Sequence, residues 1–193
     1  MKTDIILAGV GGQGILSIAT VIGEAAVHKG LNMKQAEVHG MSQRGGDVQS
    51  NLRISDGVIY SDLIAKGKAD LILALEPMEA LRYLPYLSKD GWLVTNSTPL
   101  INTSNYPSSQ ELTAALDLVE RKVVLDVDAI AIEIGSARVS NMVMLGAATP
   151  FLGIDYQDIE NGIRRIFDRK GAVIVDMNLR ALAAGKAIAD SRK

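Results

Sequence analysis

The chain has 193 residues, 48% of them apolar, with 20 lysines and arginines against 22 aspartates and glutamates and no cysteine. That length supports one core and a single domain over 1–193, and the nearly balanced charge gives no field to draw in nucleic acid or anionic lipid. Lacking thiols, the chain has no disulfide, no thiol nucleophile and no ligands for an iron-sulfur cluster of its own.

Asp4 to Ala8 read as a buried strand, and Ile15, Ile18, Ala19, Ile22 and Ala26 then recur at helical spacing until His28, Lys29 and Gly30 end the helix. Met33 to Val38 is a second strand. The strand-helix-strand unit over 4–38 predicts two parallel strands joined by a right-handed crossover. Val48, Leu52 and Ile54 alternate with Gln49, Asn51, Arg53 and Ser55, the pattern of a half-buried strand, and Asp56-Gly57 is expected to turn into Val58 to Tyr60 as an antiparallel hairpin. The apolar runs at 71–75, 92–96 and 122–127 read as strands covered on both faces. Helices are predicted near 77–87 and 109–120, the latter opened by Ser108 and Glu111 at capping-box spacing. Asp128 is expected to cap the next helix, and helical patterns follow at 138–152, 155–167 and 176–190, interrupted by the run "AVIV". Met142, Met144 and Leu145 read as core. Residues 96–109, polar and holding Pro99 and Pro107, form the longest surface loop.

These elements define an α/β fold: a three-layer Rossmann-like domain with a mostly parallel, mixed sheet and a helical C-terminal region. No stretch reaches the roughly 18 uncharged apolar residues of a membrane span, and the N-terminus lacks a signal h-region. A cytoplasmic location is expected, with neither membrane nor nucleic acid as partner.

Two motifs carry the functional reading. "GVGGQG" follows a strand and opens a helix, with Gly9, Gly11 and Gly14 at G-x-G-x-x-G spacing and Gly12 and Gln13 between them. Such a turn lets a ligand approach the backbone, while the free N–H groups at the helix start favour an anion; a tight turn with no ligand is the plainer alternative. Glu37 ends the second strand near the place of a ribose-binding acid. The second motif is the loop holding His39, Met41, Ser42, Gln43, Arg44, Gly45 and Gly46. It follows a strand running parallel to the first, so it rises at the same sheet edge as the glycine-rich turn, where open α/β sheets bind ligands. Arg44 offers a donor fork suited to carboxylate or phosphate. His28 reads as a helix C-terminal residue and His39 as bonded to nearby backbone. Two histidines so separated make a poor metal site. The sequence holds no Ser/His/Asp ordering, no phosphate-binding G-x-x-x-x-G-K-[ST] and no thiamine-diphosphate Gly-Asp-Gly, so it carries no complete catalytic apparatus.

"GVGGQGILSIATVIGEAAVHKG", followed by "EVHGMSQRGGDVQSNLRISDGVIYSDLI", closely resembles the gamma-type component of the 2-oxoacid:ferredoxin oxidoreductases, and "HGMSQRGG" resembles its indolepyruvate branch. The resemblance spans nearly the whole chain. It implies oxidative decarboxylation of arylpyruvates such as indolepyruvate with coenzyme A, giving an aryl-acetyl-CoA, carbon dioxide and electrons for ferredoxin. It also implies a large catalytic alpha subunit as partner, which carries thiamine diphosphate, magnesium and the iron-sulfur clusters. The family's glycine-rich segment falls on Gly9, Gly11, Gly12, Gln13 and Gly14, and its RGG loop on Arg44, Gly45 and Gly46, with coenzyme A at that edge as one expected ligand. Two rival readings fit the same residues: an autonomous NAD-binding dehydrogenase or reductase, on Gly9 to Gly14 with Glu37, and a non-catalytic nucleotide-binding assembly module.

Overall fold

The computed structural model describes residues 1–40 and 45–192. Strands β1 (Lys2–Val10), β2 (Asn32–His39), β3 (Asp47–Ser55), β4 (Ala69–Ala74), β5 (Leu87–Asn96) and β6 (Lys122–Leu125) form one sheet in the order β2-β3-β1-β4-β5-β6. β4, β5 and β6 follow β1 in parallel, β3 is antiparallel to both β1 and β2, and so β3 alone opposes the common direction. Helices α1 (Ile15–His28), α4 (Val127–Ile134), α5 (Ser140–Ala148), α6 (Tyr156–Phe167) and α7 (Ala172–Asp190) contribute to the core on one face. Ile64, α2 (Pro77–Tyr83) and Leu116 of α3 (Ser109–Asp117) cover the other, completing three layers.

β1 is central, and its run from Ile5 to Ala8 is buried because both sides of the sheet are covered: Ile5 and Leu7 join the first core, Ile6 and Ala8 the second. All five stripe residues of α1, from Ile15 to Ala26, are buried against the sheet and against α5 and α6. Met142, Met144 and Leu145 lie fully inside, because α5 packs between the sheet and α7. There Gly146 and Gly185 remove the side chains at the crossing: a Cβ on Gly185 would stand 1.8 Å from the Val143 carbonyl oxygen. Trp92 stacks on Phe151 at 4.4 Å between ring centroids on the same side of the sheet.

Several expectations are corrected. β2 runs in the direction of β1, as expected, and what the pattern did not announce is that β3 is inserted between them. Being interior to the sheet, β3 buries Ser50 and Asn51 as well as Leu52 and Ile54 and is more than half-buried. Val58 to Tyr60 form no strand, since β3 already has partners on both sides, β1 and β2. Just after this segment the chain is tied to β3, where Arg53 donates to the carbonyls of Ser61 and Leu63. α2 ends at Tyr83 and a single 3₁₀ turn, Leu84–Tyr86, follows. Asp126, not Asp128, caps α4, accepting from the Ala129 N–H at 2.9 Å, while Asp128 accepts from the Asn96 amide. "AVIV" is no interruption but the first turn of α7. No helix among the described residues is long and apolar enough to cross a membrane.

Candidate functional site: a cleft at the C-terminal edge of the sheet

The glycine-rich turn is built around Gln13. Its Oε1 accepts from the Val10 N–H at 2.8 Å and its Nε2 donates to the Leu75 carbonyl at 3.0 Å, so both ends of the amide tie the turn to β1 and to the residue after β4. Gly9 leaves the room for this, because a Cβ there would meet Gln13 Oε1 and Ile15 Cδ1, each at 2.8 Å. Gln13 is thus committed to the protein and serves as a brace. Gly12 and Gly14 take φ of +109° and +87°, which strain any side-chain-bearing residue, and Gly12 faces open space. Gly14 is the N-cap of α1 and offers no side-chain cap, so the helix opens with N–H groups directed outward and a partial positive charge. Asn141 of α5 fixes this start by donating to the Gly14 carbonyl at 3.3 Å.

Above the turn lies an open cleft of about 500 Å³, walled by Gly11, Gly12, Gly14 and Leu16 on one side and by Glu37, His39 and Val48 on the other. The loop after β2 and the glycine-rich turn thus share one edge, as the strand directions predict. Gly45 and Gly46 close onto the turn through two backbone bonds, Gly11 N–H to the Gly46 carbonyl at 2.8 Å and Gly45 N–H to the Gly11 carbonyl at 3.3 Å. The expected roles of Met41, Ser42, Gln43 and Arg44 lie outside the described residues. His39 is exposed, and its Nδ1 lies 3.0 Å from the Gly40 carbonyl. His28 is the exposed last residue of α1, away from the cleft lining.

Beside the glycine-rich turn sits a group that the sequence reading passed over. Glu76, fully buried at the end of β4, accepts from the Glu79 N–H at 2.9 Å as the N-cap of α2, from the Leu100 N–H at 3.3 Å, and from the Tyr106 hydroxyl. Burial and this carboxylate push the Tyr106 hydroxyl well above its ordinary pKa. One turn on, burial lifts the Glu79 carboxyl above the usual range despite its hydrogen bond from Arg82, whose own half-exposed guanidinium keeps its hydration. The signal for the cap was present as a carboxylate directly before Pro77, which stands in the first turn of α2; no local pattern announces Tyr106.

Fold and cleft together define an α/β protein whose Gln13-braced, glycine-rich turn opens on a cleft at the sheet edge, with no cysteine in the chain. The chain belongs to the pyruvate ferredoxin/flavodoxin oxidoreductase family, whose sequence pattern matches residues 4–188. It is 37% identical to the indolepyruvate oxidoreductase subunit IorB of Archaeoglobus fulgidus, over 96% of this chain and 94% of that one. Among solved structures it is similar to the gamma subunit of a keto/oxoacid ferredoxin oxidoreductase from Geobacter sulfurreducens, with a TM-score of 0.72 and 24% identity over 98% of this chain and 99% of that one. It is similar also to the 2-oxoglutarate:ferredoxin oxidoreductase from Magnetococcus marinus, solved with 2-oxoglutarate, coenzyme A and succinyl-CoA bound, with a TM-score of 0.77 and 23% identity. That match covers 98% of this chain and 31% of the other, so this chain corresponds to about a third of the larger polypeptide.

Proposed function

We propose that this chain is the small subunit of a cytoplasmic 2-oxoacid:ferredoxin oxidoreductase acting on indolepyruvate and related arylpyruvates, and that its cleft edge faces coenzyme A and the large subunit. The observation that carries this reading is the end-to-end similarity to an indolepyruvate oxidoreductase subunit, 37% identical over nearly the full length of both chains. The overall reaction converts indolepyruvate and coenzyme A to indoleacetyl-CoA and carbon dioxide, with two electrons passed to ferredoxin. Clusters held by thiolates do not fit a chain without cysteine, so these belong to the partner subunit, together with thiamine diphosphate and its magnesium.

Coenzyme A does fit the edge described. The uncapped start of α1, the open space over Gly12 and the cleft beyond it suit an anionic group such as a pyrophosphate. When bound, coenzyme A supplies the thiol that accepts the acyl group. This chain's part is to bind and orient: Gly12 and Gly14 present backbone, Gln13 holds the turn, and Gly45 and Gly46 form the adjoining wall. The rival NAD reading draws on Glu37, which does line the cleft. In dinucleotide-binding folds, however, the ribose-binding acid ends the parallel strand beside β1, whereas here antiparallel β3 occupies that position and moves Glu37 out by one strand, about 5 Å.

The test is reconstitution. The large subunit, this chain and the two together are assayed for indolepyruvate- and coenzyme A-dependent reduction of a viologen dye. Full turnover is expected only from the pair. Turnover by this chain alone, or saturable binding of NADH to it, would replace the proposal with the dehydrogenase reading.

A further inference from the structure

The loop from Ser97 to Ser108 is fixed at several points along its length. At its start the Ser97 N–H donates to the Leu125 carbonyl at 2.9 Å and the Thr98 N–H to Asn96 Oδ1 at 3.3 Å. At its end Ser108 and Glu111 form a reciprocal capping box on α3. Between these, the Leu100 N–H and the Tyr106 hydroxyl converge on one oxygen of buried Glu76. A carboxylate out of water needs such donors, and here both the loop and α2 supply them. The residues between the two Glu76 contacts bulge outward, and from that bulge Asn102 Nδ2 donates to the Gly45 carbonyl at 2.9 Å. Gly45 and Gly46 are in turn bonded in both directions to Gly11.

We propose that Asn102 is a positioning residue for the cleft, carried to Gly45 by a strap that Tyr106 and Leu100 latch onto Glu76. The strap holds the Gly45–Gly46 wall against the glycine-rich turn, so the spacing across the ligand edge is set from β4 and the strap as well as from β1 and α1. The bond itself is exposed, so it adds little to global stability. Its effect is local, on a segment that, among the described residues, is also held by two backbone bonds to Gly11.

The ligand part of this inference rests on the coenzyme A reading, and the test separates the two. Amide hydrogen exchange is read on the full chain without any ligand, comparing wild type with Asn102→Ala and Tyr106→Phe. Exchange at the Gly11 and Gly45 amides is expected to quicken about threefold to tenfold in Asn102→Ala, the loss of one hydrogen bond, with the melting temperature within about 2 °C of wild type. Tyr106→Phe, which removes only the hydroxyl, is expected to quicken the same amides. In the assembled enzyme, Asn102→Ala should raise KM for coenzyme A about threefold to tenfold with kcat within about twofold, and Asn102→Gln should recover part of the loss. Unchanged exchange at Gly11 and Gly45 in both variants would overturn the latch. Quickened exchange with an unmoved KM would overturn the positioning role. An unaltered enzyme that turns over without coenzyme A would remove the ligand reading and leave the exchange result standing.

Discussion

Asp4 and Arg53 illustrate how single side chains set the frame of this domain. Asp4 is almost fully buried on β1, and Arg53 on β3 meets it with two bonds of 2.7 and 2.9 Å while also holding the carbonyls of Ser61 and Leu63. Burial alone would raise the Asp4 carboxyl, but hydrogen bonds from Arg53 and Lys2 outweigh it and hold the group below its ordinary value of 3.8. Arg53→Ala leaves a buried carboxylate with only Lys2 beside it, and we expect a loss of about 3 kcal/mol in urea unfolding at neutral pH. A folded-state pKa below the unfolded one means that this stabilisation is present above pH 3.8 and is lost as pH falls through the lower folded value. The gap between wild type and Arg53→Ala should therefore narrow below about pH 4, and an undiminished gap at pH 3 would show that the pair acts through packing alone. The same residue gave no such message in the sequence, where it was one polar position of an alternating strand. Alternation reports which face a side chain takes; it carries no information about a partner 49 residues away.

At the scale of elements, helical periodicity was the most informative pattern. The α1 stripe and the Ser108–Glu111 capping box appear where the spacing puts them, because each depends on neighbours three or four residues apart, while α5 is in the core because it is apolar all round. Strand order was not legible. A strand-helix-strand pattern is the same whether the second strand lands beside the first or one place further out, and only the later pairing of β3 with β1 decides it. The α5–α7 contact was equally hidden, since Gly146 and Gly185 are far apart in sequence yet face each other's helices. Gly185→Ala would drive a Cβ into the Val143 carbonyl and force the helices apart, and we expect about 3 kcal/mol of destabilisation, read as a lowered urea midpoint. Ser108→Ala removes the cap of α3 and should cost about 1 kcal/mol, three times less; equal losses in the two variants would contradict the close crossing.

For the whole molecule, the two glycine motifs gather at one edge because of strand direction. β1 and β2 both end there, β3 begins there, Gln13 ties the end of β1 to the residue after β4, and Glu76 ties that same end of β4 to the loop after β5. The two glycine motifs were visible in the sequence because glycine is diagnostic where backbone must turn or be approached; that they bond to each other through Gly11, Gly45 and Gly46 required the fold. Glu76 was legible only as a helix cap before Pro77, and the contribution of Tyr106 and Asn102 was not legible, as it depends on a loop whose sequence has no period.

The central claim is that this edge meets coenzyme A, and Gly12 is where it can be tested most directly. Gly12 has open space around it, so Gly12→Val introduces no clash inside the chain, but its φ of +109° strains a β-branched residue, and the side chain would stand in the path of a ligand. The measurement is the steady-state KM for coenzyme A in the assembled enzyme carrying Gly12→Val, with the amount of complex determined on the same preparation. The account predicts a KM raised at least about tenfold with the complex still formed, since a blocked close approach removes binding contacts of more than 1.4 kcal/mol. A fully assembled enzyme with an unmoved KM for coenzyme A would contradict it.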